Sequence, residues 1–198
     1  MQNRLSICIA DFLLSQHIIN NSEKEIYIYG VKLIISSVIN ILICTTISIL
    51  LKDIVNGIVF FISFSSLRRF TGGFHSKKFY KCNLIFSIIV IVALLSNMFF
   101  EKMFENHFVF ITIILFTLII IALFSPVYNE NKELDKHERK LFLIKSIIVY
   151  LIHILIYFVF IIVSNIKLKI ILISDLIVAV MIIWGFLNNR VAMKKQLK

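Results

Sequence analysis

Six long apolar runs dominate this chain. They lie near 33–51, 54–70, 84–100, 108–124, 141–163 and 170–187. A helix crosses the hydrocarbon core of a bilayer with roughly 17–25 residues. All six runs qualify, the second, 54–70, only marginally. The chain is 60% hydrophobic with a mean hydropathy of +0.96, well above the apolar share of an ordinary soluble domain. Its single proline and five glycines rule out a linker-like or collagen-like chain. The expected fold is all-α: a polytopic membrane protein with about six transmembrane helices in one integral membrane domain spanning 1–198. No soluble domain fits between the runs, and no internal repeat is visible. Residues 5–19 are apolar but interrupted by Ser6, Asp11, Ser15, Gln16 and His17. This predicts an amphipathic helix lying in the membrane interface, within an N-terminal region 1–30. Asp11 and the lack of a small-residue cleavage site argue against a secretory signal peptide.

Charge orients the expected bundle, because cytoplasmic loops are enriched in Lys and Arg. With six spans, one face receives the N-terminus, the second and fourth loops, and the C-terminus. These segments carry three, five, five and four cations, which is seventeen of the 21 Lys and Arg. The opposite face receives Lys52, Lys102, Lys167 and Lys169. Both termini and the second loop are therefore expected in the cytoplasm. The cysteines, Cys8, Cys44 and Cys82, are 36 and 38 residues apart, which fits neither a zinc nor a disulfide framework. Free thiols on a reducing face are expected.

The second loop concentrates chemistry. It reads Arg68-Arg69-Phe70-Thr71-Gly72-Gly73-Phe74-His75-Ser76-Lys77-Lys78-Phe79-Tyr80-Lys81-Cys82. Taken singly, each residue has a plain explanation. The cations anchor a span against anionic head groups, the glycines make a turn, His75 sits in the interface, and Cys82 is a small buried hydrophobe. Together they place a nucleophile, a base and five positive charges at a membrane surface. A thiol becomes reactive when an imidazolium or another cation stabilises its thiolate. On one continuous helix, His75 and Cys82 would lie about 10 Å apart along the axis, so the pairing requires the chain between them to bend. Backbone N–H groups at Gly72 and Gly73 are candidates for an oxyanion hole.

The pattern Arg68-Arg69-x-x-x-Gly73-x-His75, with Cys82 seven residues on, resembles the signature of the AgrB family. These are membrane endopeptidases that process the precursor of a cyclic quorum-sensing peptide. Chain length, six hydrophobic segments and a Pro126-containing basic loop after the fourth segment are similar as well. One departure is Lys132-Glu133, where the family often has a second proline after its lysines. The resemblance implies His75 and Cys82 as the catalytic pair, with Arg68 and Gly73 in support. It implies attack by Cys82 on the precursor, an acyl-enzyme thioester, and ring closure by a thiol or hydroxyl of the precursor. Arg69, Lys77, Lys78 and Lys81 are then expected to hold an acidic part of the substrate. The implied partners are an AgrD-like propeptide and the lipid bilayer. A homodimer fits the resemblance, although no small-xxx-small face announces one. No nucleic-acid partner, cofactor or metal is expected, since the chain has no Walker loop, HExxH or CxxC.

His153 and Asp175 fall inside the fifth and sixth runs, where ionisable residues are functional candidates by default. His153 reads first as a satisfied neutral histidine, and Asp175 as close enough to the outer end to reach water. His107 and His137 read as solvated, and Cys8 and Cys44 as structural. A second class of function fits the same composition: a non-enzymatic transporter or peptide-binding scaffold with a basic cytoplasmic face. Tolerance of Cys82→Ser would mark that class.

Overall fold

The computed structural model describes residues 2–72, 79–99, 107–127, 134–164 and 168–196. Every regular element among them is an α-helix: α1 Gln2–Ser15, α2 Lys24–Leu50, α3 Ile54–Thr71, α4 Phe79–Phe99, α5 His107–Phe124, α6 Lys136–Ser164 and α7 Lys169–Gln196. The chain divides into two compact units, Met1–Ile43 and Cys44–Lys198.

In the first unit, α1 ends where Ser15 Oγ donates to the Phe12 carbonyl and His17 takes a left-handed φ of 56°. The next helix is announced by Asn20-x-x-Glu23. The Asn20 N–H donates to Glu23 Oε2 at 2.9 Å, one half of a capping-box pattern, and the Glu23 N–H donates to the Asn20 carbonyl at 3.0 Å, closing the turn through the backbone. Lys24 and Asp11 form an ion pair at 2.6 Å. Helix α2 therefore begins at Lys24, nine residues before the apolar run that marks it in sequence. Hydropathy sees only the apolar part of a helix, whereas Glu25, Tyr27, Tyr29 and Lys32 extend it into polar surroundings.

In the second unit, the end of α2 and the start of α3 form a tight antiparallel hairpin. Lys52 turns the chain with a φ of 55°. Cys44 Sγ donates to the Gly57 carbonyl at 3.4 Å, and Ser48 Oγ donates to the Cys44 carbonyl at 2.7 Å. A Cβ on Gly57 would lie 2.6 Å from Ser48 Cβ, so this close approach needs glycine. Cys44 is thereby explained by packing, as its sequence context indicates.

Helix α7 is the centre of the unit and packs against α3, α4, α5 and α6. Its apolar window is 61% buried, against 22% for α4 and for α6. A helix apolar all round belongs inside a bundle, and Ile170, Leu172, Val178, Ala179 and Ile182 fill that position. The outer helices instead expose large apolar side chains: Leu123 is 70%, Val163 77% and Ile162 81% exposed. Apolar exposure on this scale is foreign to a water-soluble monomer and fits a lipid-facing surface.

The span count differs from the six expected. Among the described residues, four helices are long and apolar enough to cross a membrane: Lys24–Leu50, Tyr80–Phe99, Lys136–Val163 and Lys169–Asn189. The apolar stretch Phe108–Phe124 forms a shorter helix. Helix α3, the marginal run, carries Asn56, Ser63, Ser65, Ser66, Arg68 and Arg69, which dilute its apolarity. Ser63 and Ser66 face the bundle, whereas Ser65 and Arg69 are exposed. Ser63 Oγ donates to the Val59 carbonyl at 2.6 Å, and Phe60, Phe64 and Leu67 are buried.

Candidate active site

Helix α3 stops at Thr71, and α4 starts at Phe79. His75, Gly73, Lys77 and Lys78 lie outside the described residues. Arg68, Arg69, Lys81 and Cys82 lie within them.

The end of α3 is built by Gly72, whose φ of 67° and ψ of −141° fall where a side chain is strained. Its N–H donates to the Arg68 carbonyl at 3.1 Å. That bond commits the Gly72 N–H to the helix end and removes it from the expected oxyanion hole. The Arg68 guanidinium folds back in turn, with Nη1 donating to the Gly72 carbonyl at 3.3 Å and the group lying 5.8 Å from the Phe64 ring centroid. Arg68 is also close enough to Cys82 to interact with it electrostatically. Cys82 sits in the first turn of α4 and is half-buried, while Cys8 is exposed and Cys44 is buried. The second loop thus offers one partly accessible thiol beside one guanidinium.

The fourth loop meets the second here. The Val127 N–H donates to the Thr71 carbonyl at 3.0 Å, just after Pro126. A Cβ on Gly72 would lie 3.1 Å from the Val127 carbonyl oxygen, so the same glycine permits both the turn and the docking. Ser125 and Ser146 hydroxyls are 3.2 Å apart, and the Phe70 and Phe142 rings are 6.1 Å apart. The Arg69 guanidinium and Lys145 Nζ each lie 6.0 Å from the Phe70 ring. Helix α6 starts nearby, the Asp135 N–H donating to Glu138 Oε2 at 3.1 Å and the Lys136 N–H to Asp135 Oδ1 at 2.7 Å. It presents Lys136, Arg139, Lys140 and Lys145 on an exposed surface. The two basic loops assigned to one face by charge are therefore neighbours in space. Lys81 is exposed on the first turn of α4.

A separate cluster lies deeper in the bundle. His153 Nδ1 and Asp175 Oδ1 are 2.8 Å apart, and His153 Nε2 and Ser66 Oγ are 3.0 Å apart. His153 is satisfied at both ring nitrogens, as read from sequence. Asp175 is corrected: it is 1% exposed and faces His153, because α7 is the central helix and its interior face is sealed by its neighbours. Ser66 escapes sequence reading altogether, since a serine one turn from other serines carries no signal until α6 is brought against α3.

Comparison with known proteins places these observations. Residues 6–188 match the family model for accessory gene regulator B. The chain is similar to an AgrB-like protein of Clostridium perfringens strain SM101, with 32% identity over 144 residues covering 71% of this chain and 67% of the relative. A second AgrB-like protein, from Clostridium perfringens strain 13, is 31% identical over the same coverage. No solved structure matches. With the match running from α1 to α7 and across both basic loops, the chain belongs to the AgrB family.

Proposed function

We propose that this protein is a membrane-embedded cysteine endopeptidase that trims an autoinducer propeptide and promotes its cyclisation for quorum sensing. The observation that carries the reading is the half-buried Cys82 thiol beside Arg68, at the helix end where α3 closes on Gly72. Family membership supports it.

The chemistry follows from the side chains. The Cys82 sulfur attacks the carbonyl carbon of a precursor peptide bond, and Arg68 favours the thiolate that does so. His75, joined to α4 by the segment before Phe79, takes the thiol proton and returns it to the departing amine as the C–N bond breaks. The C-terminal tail leaves, and the remaining acyl group is held on Cys82 as a thioester. A thiol or hydroxyl of the precursor then attacks that thioester, the C–S bond breaks, and the ring closes as Cys82 is released. Exchange of one thioester for another is nearly balanced in energy, so no ATP is needed. Water must be kept from the thioester, and a site at a membrane edge serves that end. The cations Arg69, Lys77, Lys78 and Lys81, with those of α6, attract an acidic part of the precursor.

Trapping the intermediate tests this reading. Purified protein in lipid nanodiscs, mixed with precursor and quenched in acid, should show by mass spectrometry one acyl adduct, located on Cys82. An adduct on Cys8 or Cys44 ends the assignment.

Both termini and the catalytic loop are assigned to the cytoplasm, on the basic asymmetry of the loops. In intact cells an impermeant maleimide should label a cysteine placed at Lys102 or Asn165 and spare Cys82. Labelling of Cys82 from outside reverses the orientation.

A further inference from the structure

The deep cluster stands apart from the thiol chemistry. Ser66 from α3, His153 from α6 and Asp175 from α7 form one hydrogen-bonded chain. His153 is 6% exposed. Ser66 precedes Arg68 by two residues, so on a helix of 3.6 residues per turn the two project from opposite sides of α3. Ser146, at the level of the cytoplasmic-loop contacts with Ser125, is seven residues before His153, which puts the cluster about 10 Å further into the bundle.

Two features distinguish it from a static cross-brace. Asp175 Oδ2 is buried with no hydrogen-bond partner among the described residues. Tyr150, one turn before His153, interacts electrostatically with Asp175. A carboxylate placed only for bracing is normally satisfied at both oxygens. Ser66 also has two possible acceptors. Its hydroxyl lies 3.0 Å from His153 Nε2 and 3.0 Å from the Ser63 carbonyl oxygen.

That geometry supports two complete hydrogen-bond patterns differing by one proton. With a neutral ring, Nδ1–H donates to Asp175 Oδ1 and Ser66 O–H donates to Nε2, and the cluster carries a net charge of −1. With one proton taken from water, Nε2–H donates to Ser66 Oγ and Ser66 O–H turns to the Ser63 carbonyl. The cluster is then neutral. No heavy atom must move, and every donor keeps an acceptor in both states. We propose that Ser66, His153 and Asp175 form a proton-binding site inside the bundle, whose occupancy sets how firmly α3 is held to α6 and α7.

The surroundings leave few other charges to do this. Asp175 from α7 meets His153, and its own helix places Tyr150 and Tyr157 one turn before and one turn after it. The described part of α5 beyond His107 has no titratable side chain. On α3 the nearest charges are Arg68 and Arg69, and on α7 the next is Lys169, six residues before Asp175. Nucleophilic catalysis by the same Ser-His-Asp order is disfavoured by position. Ser66 is inside α3, where backbone N–H groups are committed to the helix and none is left to receive an oxyanion.

The proposal does not depend on the peptidase reading, and its test uses no precursor. Full-length protein with 15N-labelled histidine in lipid nanodiscs is titrated from pH 5 to 9 by NMR. The His153 ring is identified as the signal missing from His153→Gln. It should pass reversibly from a neutral Nδ1–H tautomer to imidazolium, and Asp175→Asn should move its midpoint by at least one pH unit, a tenfold change in proton affinity. Hydrogen-exchange protection across 60–71, taken relative to the intrinsic rate at each pH, should depend on pH in the wild-type protein and lose that dependence in Asp175→Asn. A ring that keeps one tautomer throughout overturns the proposal. So does a midpoint that shifts when sodium chloride replaces choline chloride, which would assign the site to a metal cation. Labelling of Ser66 by a fluorophosphonate would overturn it in favour of a serine nucleophile.

Discussion

Cys82→Ala should abolish precursor cleavage, with a loss of at least about a thousandfold, since removing a nucleophile leaves only the catalysis of binding and positioning. Cys8→Ala and Cys44→Ala should cleave at close to the wild-type rate. Cys8 is exposed on α1, and Cys44 is buried with its thiol directed to the Gly57 carbonyl. His75→Ala should slow adduct formation severely while leaving membrane insertion unchanged, because an unperturbed thiol with a pKa of about 8.5 is only a few per cent ionised at neutral pH. Cleavage of a synthetic precursor, followed by chromatography, checks all four. Full cleavage by Cys82→Ala would refute Cys82 as the nucleophile.

The second large effect concerns Arg68, and it is read on the thiol itself. Arg68→Ala should slow alkylation of Cys82 by iodoacetamide severalfold at neutral pH. The guanidinium is held by the Gly72 carbonyl and the Phe64 ring, close enough to Cys82 to interact with it electrostatically. Arg68→Lys should recover only part of the rate, because an ammonium lacks the planar fork that both bonds the carbonyl and stacks on the ring. Arg69→Ala should change the rate by less than about twofold, since Arg69 is exposed and lies against Phe70 instead. Equal effects from the two arginines would mean that Cys82 senses the general positive field of the loop rather than one neighbour.

Both experiments distinguish roles that look alike in sequence. Arg68 and Arg69 are adjacent, yet a helix turns by about 100° per residue. One therefore folds back on the helix end beside Cys82, and the other reaches solvent beside Lys145. Gly72 and Gly73 are likewise adjacent. Gly72 has a specific duty, since it holds a positive φ and lets the Val127 backbone approach, and its N–H is spent on Arg68.

Composition and periodicity were enough to make this chain a helical membrane protein. Apolar runs of bilayer length have no other way to satisfy their backbone. The side-chain hydrogen bonds at Asn20 and Asp135 are equally local, because in each a glutamate three residues on accepts the backbone N–H. The loop carrying Cys82 was also legible, since the conjunction of thiol, histidine, glycines and cations lies within fifteen consecutive residues. Tertiary structure alone decided the rest. Which helix is central depends on how neighbours cover it, and α7 is no more apolar than α6. Ser66, His153 and Asp175 are separated by 87 and 22 residues. Their meeting follows from the packing of α3, α6 and α7, which no local pattern encodes. A buried carboxylate and a buried histidine each carry a cost that only the other's position can offset, and that compensation becomes visible when the helices are assembled.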